Sequence, residues 1–260
     1  MDDLFIELLA GLAVGASMGL LGAGGAIFTV PVFGALLGHA PKDAFLEALA
    51  VTGGIAAASA IIGVRAGRVD GRRAVTFAAA GILGTQAAAP LAVRMDARIQ
   101  VVLFAAVAAY AAWRMWNSSN AAATTTSAGA EARGGPAGSL ALGFGIGVLT
   151  SVLGVGGGFL LIPAFVLREG LSMPTAVATS LTVIAVNSAA GLLGQWWSGG
   201  FAGSGFDLGA VGVTAGFGLV GSWAGARLAH RLPQPIVRRT FAVLLALVAL
   251  WMAVRSTGRA

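Results

Sequence analysis

The amino-acid sequence predicts an all-α integral membrane protein of two inverted repeats, each a glycine-broken re-entrant helical hairpin followed by three transmembrane helices. Three observations carry that expectation. Hydrophobic residues make up 57% of the 260-residue chain and charged residues only 10%, against about 25% charged in an average soluble domain. Eight long apolar stretches lie near 4–38, 44–64, 74–93, 99–116, 138–167, 175–197, 208–229 and 236–254, and a spanning helix needs about 20 mostly apolar residues. One glycine-rich phrase is written twice, LLGAGGAIFTVPVF at 20–33 and VLGVGGGFLLIPAF at 152–165.

The rest of the composition narrows the class. Mean hydropathy is +0.88. The 40 glycines show no collagen period, and small residues of this kind let membrane helices approach closely. With no cysteine, disulfides, thiolate metal sites and cysteine nucleophiles are excluded. The net charge of +6 sits mostly on arginines between the apolar stretches, where it reads as topology information and not as a nucleic-acid surface. The opening MDDLFIELLAG is acidic, whereas a secretory signal opens basic, so the first apolar segment reads as a retained part of the protein. The apolar runs are continuous, unlike the alternating segments of about 10 residues in an outer-membrane barrel.

Taken in order, residues 1–116 form the first repeat. Residues 117–137, NSSNAAATTTSAGAEARGGPA, form a flexible linker of small and polar residues, and residues 138–260 form the second repeat. Leu21, Gly22, Gly24, Gly25, Pro31 and Phe33 recur as Leu153, Gly154, Gly156, Gly157, Pro163 and Phe165. Further on, GILGTQAAAPLAVR at 81–94 aligns with GLVGSWAGARLAHR at 218–231, so the second repeat carries about five extra residues in between. A fixed order of matched features argues for an internal duplication.

Charge sets the orientation of the halves. The loop at 65–73 holds Arg65, Arg68, Arg72 and Arg73, and its counterpart at 198–207 holds no basic residue. The loop at 94–98 holds Arg94 and Arg98, while its counterpart at 227–239 holds Arg227, Arg231, Arg238 and Arg239. Cytoplasmic loops concentrate Lys and Arg. With each glycine block a re-entrant turn, the halves are inverted and eleven basic residues fall inside against five outside. The rival, eight full spans with parallel halves, splits them evenly.

The glycine blocks have a physical reading. A backbone leaving helical geometry inside a membrane is tolerated only where protein or a wet cavity surrounds it. Glycine permits the reversal, and a half-helix starting after it offers free N–H groups to an anion. Paired broken helices near the midplane are a recurrent transporter device. Pro31 and Pro163 then kink or end the short helices. Isolated pairs such as Gly11–Gly15, Gly15–Gly19, Gly143–Gly147, Gly212–Gly216 and Gly221–Gly225 read as helix packing.

The paired LGxGGxxxxxP blocks resemble the sulfite exporter family, TauE/SafE, through both halves of the chain. The resemblance implies a multi-pass transporter of the cytoplasmic membrane for small sulfur-containing anions such as sulfite, sulfoacetate or other organosulfonates. It carries the site onto Gly22, Gly24 and Gly25 in the first block and Gly154, Gly156, Gly157 and Gly158 in the second. Ala26 stands where the second block has Gly158, so the two need not be equivalent.

Other residues join the candidate site. Ser180, Asn187, Gly191 and Gln195 share one helical face, and the matching helix offers Thr52 and Ser59. Thr52, Gln86, Ser180 and Asn187 are neutral groups inside spans, either lining a substrate path or bonding helices together. No charged residue is expected at mid-span, which leaves a proton relay without an evident carrier. Glu7, Glu47, Asp70 and Asp207 fall near span ends, Asp70 and Asp207 as N-caps. His39 and His230 read as solvated, Trp196 and Trp197 as interface anchors, and Arg94 and Arg231 as topology anchors.

No P-loop, HExxH, GxSxG or cysteine cluster is present, so neither an enzyme nor an ATP-driven pump is expected, and no cofactor or metal. The expected function is secondary export of a small anion by alternating access around a site at the two glycine breaks. A passive anion channel and a non-transporting assembly or sensor subunit are the alternatives. The expected partners are the small anion and the lipid bilayer, with a homo-oligomer left open and nucleic acid excluded.

Overall fold

In the computed structural model, residues 2–22, 26–121, 135–153, 158–229 and 243 are described. Among them helix is the only regular secondary structure. The first repeat contributes α1 (Asp2–Leu21), α2 (Ala26–Pro31), α3 (Pro41–Arg65), α4 (Gly71–Arg94) and α5 (Ala97–Ala121). The second contributes α6 (Gly135–Leu153), α7 (Gly158–Pro163), α8 (Met173–Trp197) and α9 (Leu208–Ala229). The last expected span, 236–254, and linker residues 122–134 lie outside the described residues, while α5 runs on to Ala121 and α6 starts at Gly135. Helices α3, α4, α8 and α9 are long and apolar enough to cross a membrane. Their outer faces carry Val75, Leu83, Leu91, Leu193 and Val220, all exposed, an arrangement suited to lipid as solvent.

The two repeats keep one register. α1 and α6, α2 and α7, and α3 and α8 end 132 residues apart, while α4 and α9 begin 137 apart. The difference sits where expected: five residues join α3 to α4, and ten join α8 to α9.

Local chemistry sets the boundaries. Pro41 and Pro174 stand in the first turns of α3 and α8 after extended residues Ala40 and Ser172, where a missing N–H costs nothing. Asp70 Oδ1 accepts the Arg73 N–H at 3.0 Å. Asp207 Oδ1 accepts those of Gly209 at 2.7 Å and Ala210 at 3.0 Å. Both aspartates are N-caps, as the sequence predicts.

Pro31 and Pro163 close α2 and α7, and each is followed by one π-helical turn, Val32–Leu36 and Ala164–Arg168. A proline removes the N–H that an α-helical bond would use. The chain then settles one residue wider, with Leu37 N–H to the Val32 carbonyl at 3.1 Å and Glu169 N–H to that of Ala164 at 3.1 Å. Gly38 (φ 74°) and Gly170 (φ 68°) end both turns in the left-handed region, which lets the next N–H reach back in the manner of a Schellman cap.

Packing crosses between repeats. α1 lies against α9, and α4 against α6. A methyl group added at Gly11, Gly15 or Gly19 would collide with the carbonyls of Thr214, Gly218 and Ser222, so α1 and α9 run parallel in backbone contact. At the equivalent seam, a methyl at Gly147 would strike Gly81, and one at Gly84 would strike Phe144. In an apolar solvent such close approach supplies the association energy that burial supplies in water. The packing expectation holds for Gly11, Gly15, Gly19, Gly143, Gly147, Gly221 and Gly225. At Gly212 and Gly216 no described residue lies within 4 Å of the Cβ position. The equivalent helices α3 and α8 meet each other, Gly63 against Ala178, Gly53 against Ser188 and Gly191 against Leu49, which makes them antiparallel.

Candidate functional site

The first glycine block begins at Gly22, which follows the last residue of α1. Its N–H donates to the Met18 carbonyl at 2.6 Å, and its φ of 73° takes the chain out of the helix. A side chain there would be strained by that φ and would also press on Val177, whose Cα lies 2.9 Å from the Cβ position. The single O–H of Ser180 is shared between the Gly22 carbonyl, 3.1 Å from Oγ, and that of Val177, 2.9 Å away. The break is thus held by α8 of the other repeat. Gly24 and Gly25, and Gly154, Gly156 and Gly157, lie outside the described residues. Gly158 is the first residue of α7, and α2 meets α7.

Asn187 follows Ser180 by two turns on the same face of α8, about 10 Å along the axis. Its side chain is fully buried on Gly81, and neither its Nδ2 nor its Oδ1 has a hydrogen-bond partner among the described residues. Thr52 Oγ1 on α3 is likewise buried and unpartnered, as are Ser188 Oγ and Thr214 Oγ1. Buried polar groups are nearly always paired, so these four are exceptions among the described residues. Counting by the repeat, Thr52 corresponds to Ile184 and Asn187 to Ile55. Ile55 packs on Gly218 as Asn187 packs on Gly81.

The other candidates are occupied. Gln86 Nε2 donates to the Ala190 carbonyl at 3.3 Å, joining α4 to α8. Gln195 Nε2 donates to the Ser151 carbonyl at 3.1 Å, Gly191 takes Leu49, and Ser59 Oγ meets Ser222 Oγ at 2.9 Å. Of the sequence-predicted polar set, Ser180 is joined to the first block, Gln86 bonds helices, and Thr52 and Asn187 keep free hydrogen-bonding capacity.

Two cavities are found, and neither has Thr52 or Asn187 in its lining. One, of about 770 Å³, is lined by Gly19, Leu20, Gly63, Val177, Ala178 and Leu181, with Arg68 and Arg227 also in its wall. The other, of about 120 Å³, is lined by the matching Ser151, Val152, Gln195, Phe45, Leu46 and Leu49, with Lys42 in its wall. Arg227 stacks on Trp223 at 3.4 Å, and Lys42 Nζ donates to the Val93 carbonyl at 2.8 Å.

Two polar clusters were missed by sequence reasoning. At one end Arg73 binds Asp70 Oδ2 at 2.7 Å and Glu169 Oε2 at 3.0 Å, and Ser139 Oγ donates to Glu169 Oε1 at 2.5 Å. Burial alone would raise the Asp70 carboxyl, but the N–H and guanidinium of Arg73 together hold it below the usual aspartate range. At the other end His39 is not a solvated histidine: its Nδ1 lies 2.6 Å from Glu47 Oε2. Glu47, expected near a span end, is fully buried. The usable signal was internal, because Glu47 and Thr179 hold matched positions, and so do Asp207 and Asp70.

The model of the sulfite exporter TauE/SafE family matches residues 7–252, nearly the whole chain. No curated protein and no solved structure matches.

Proposed function

The chain belongs to the sulfite exporter TauE/SafE family, membrane transporters of the anion-exporter type, and from that premise we propose that it exports a small organosulfonate or sulfite across the cytoplasmic membrane. The observation that carries the site is the orphaned pair Thr52 Oγ1 and Asn187 amide, buried on the two equivalent helices α3 and α8. Neutral donors suit a sulfonate, whose oxygens accept hydrogen bonds without needing a fixed counter-ion. Helices of six residues such as α2 and α7 have short dipoles. The side-chain donors therefore carry most of the recognition, and the glycine blocks Gly22, Gly24, Gly25, Gly154, Gly156, Gly157 and Gly158 give close backbone access. Ser180 ties the first block to the Asn187 face, Gln86 braces α4 on α8, and Pro31 and Pro163 act as hinges.

Alternating access follows from inversion. The antiparallel pairing of the equivalent helices α3 and α8 supports an inverted repeat, and so do the matched seams α1–α9 and α4–α6. Arg68 and Arg227 in the wider cavity support placing that end in the cytoplasm. The inequality of two matched cavities supports a state open to one side. Rocking one repeat against the other would exchange the wide and narrow ends around the same donors. An inside-negative potential assists anion exit by about 2.3 kcal/mol per charge per 100 mV.

The test is binding to purified protein, read as thermal stability, with sulfite, sulfoacetate, taurine and thiosulfate. Wild type should be stabilised saturably by one of these, by about 2.7 kcal/mol at a hundredfold excess over Kd. Thr52→Val and Asn187→Leu remove orphaned groups, so both should melt no lower than wild type and lose the ligand shift. Folded variants that keep the shift would remove these residues from the site. Saturable counterflow in proteoliposomes separates a transporter from a channel.

A further inference from the structure

The corner around Glu47 has a built-in control. Glu47 Oε1 accepts the backbone N–H of Asp207 at 2.9 Å, tying α3 to the start of α9. At the matched corner of the other repeat, Thr179 Oγ1 accepts the backbone N–H of Asp70 at 3.0 Å, tying α8 to the start of α4. A neutral hydroxyl therefore meets the structural need. Glu47 instead brings a fully buried carboxylate, a costly group inside a membrane protein, and spends its second oxygen on His39. The residue matching His39 is Leu171.

We infer that His39 and Glu47 form a proton-binding site, and that the proton is a co-substrate of the transport cycle. The coupling half of this inference rests on the transporter reading above; the proton site does not. A neutral imidazole donating Nδ1–H to the Glu47 carboxylate leaves the pair with a net charge of minus one. One proton, added at His39 Nε2 from water, takes it to zero. His39 is part-exposed and so reaches water, while Glu47 does not. Among the described residues, the other charges facing the corner are already engaged or of like sign. Asp43 lies one turn earlier on α3, the Asp207 carboxylate caps α9, and Lys42 is bound to the Val93 carbonyl. Residues 26–38, which precede His39, carry no charge.

The site is placed to move something. The His39 N–H donates to the Phe33 carbonyl at 3.0 Å, and the two rings lie 5.6 Å apart. Phe33 belongs to the π-turn that continues the glycine-broken segment. The same carboxylate that receives His39 holds the first residue before α9. Loss of the proton leaves an uncompensated buried charge joining the π-turn of one repeat to a helix of the other. That state favours opening of the narrow cavity, which adjoins Leu46 and Lys42.

The chain has no cysteine, so a Ser151→Cys reporter in that cavity wall gives a single thiol. Maleimide labelling would be followed between about pH 5 and 8, where imidazoles change charge, and normalised to the unfolded protein at each pH. The expected result is a severalfold rise with pH in the wild-type background and a flat profile with Glu47→Gln. His39→Gln keeps a neutral donor for Glu47 and should be flat too, which covers a Glu47 variant that fails to fold. A flat wild-type profile, or the same rise in either folded variant, overturns the proton site. In proteoliposomes, a pH gradient should accelerate sulfoacetate flux severalfold in wild type and not in Glu47→Gln, and flux indifferent to the gradient in wild type overturns the coupling. If labelling follows pH but none of the four anions moves, the proton site stands and the transporter reading fails.

Discussion

The two long seams of the molecule are alike, and its two polar corners are not. α1 on α9 and α6 on α4 both bring backbone to backbone through glycines at matched positions, Gly15 with Gly218 and Gly147 with Gly81. The corners share only their frame. In each, a residue of α3 or α8 accepts the N–H just before a helix of the other repeat, Glu47 that of Asp207 before α9 and Thr179 that of Asp70 before α4. Around that frame one corner adds His39, and the other adds Arg73, Glu169 and Ser139. At those matched pairs backbone approach admits no side chain, since a Cβ there would enter the backbone opposite. A hydrogen-bond acceptor can be a hydroxyl or a carboxylate, so a duplicated fold is free to place its ionisable chemistry on one side.

The largest expected effect tests the seams. Gly15→Leu and Gly147→Leu should each destabilise by at least the roughly 1–3 kcal/mol of ordinary overpacking, because the obstacle is backbone. Thermal unfolding in detergent measures both, and a mild result at one seam only would break their equivalence. Next comes Arg73→Gln. Arg73 is 31% exposed but Glu169 only 5%, so the loss should lie between an exposed and a buried pair, about 2 kcal/mol.

The same corner has a pH signature. A carboxyl whose folded pKa is depressed stabilises above its unfolded value, and that contribution fades as pH falls through the folded one. Wild type should therefore outlast Asp70→Asn at neutral pH, and the gap should close below about pH 4. A gap that persists in acid would mean the aspartate works without its charge.

Thr179→Val removes one hydrogen bond and should cost about 1 kcal/mol. A larger loss would make Thr179 more than an acceptor and weaken its use as the control for Glu47. The smallest effect is expected at Gly212→Leu, within about 0.5 kcal/mol, because no described residue lies near its Cβ position. Loss of folded protein there would mean a further surface covers this face of α9.

Much of the frame was legible because it is local. The helix break after Leu21, the proline ends at Pro31 and Pro163, and the caps at Asp70 and Asp207 are each set by one residue's backbone preference or hydrogen-bonding reach. The repeat itself was legible because a duplicated backbone preserves spacing, including the extra loop residues before α9. Gly11 and Gly15 meet a partner helix while Gly212 and Gly216 meet no described residue, because spacing permits close packing but only a partner makes it. At the candidate site, Ser180, Gln86 and Asn187 were all visible as polar groups in apolar spans. Which of them are spent on other helices was not.

By itself, then, the sequence determined an all-helical membrane chain, its two matched halves and the positions where helices must stop, because composition and local backbone chemistry act within a few residues. The tertiary structure alone decided that Gln86 and Gln195 are occupied while Thr52 and Asn187 are not, and that Glu47 is buried against His39 and the other repeat. Those outcomes depend on which helix lies opposite, and a hydrogen bond or ion pair between residues scores apart in the chain exists only once the fold has closed the distance.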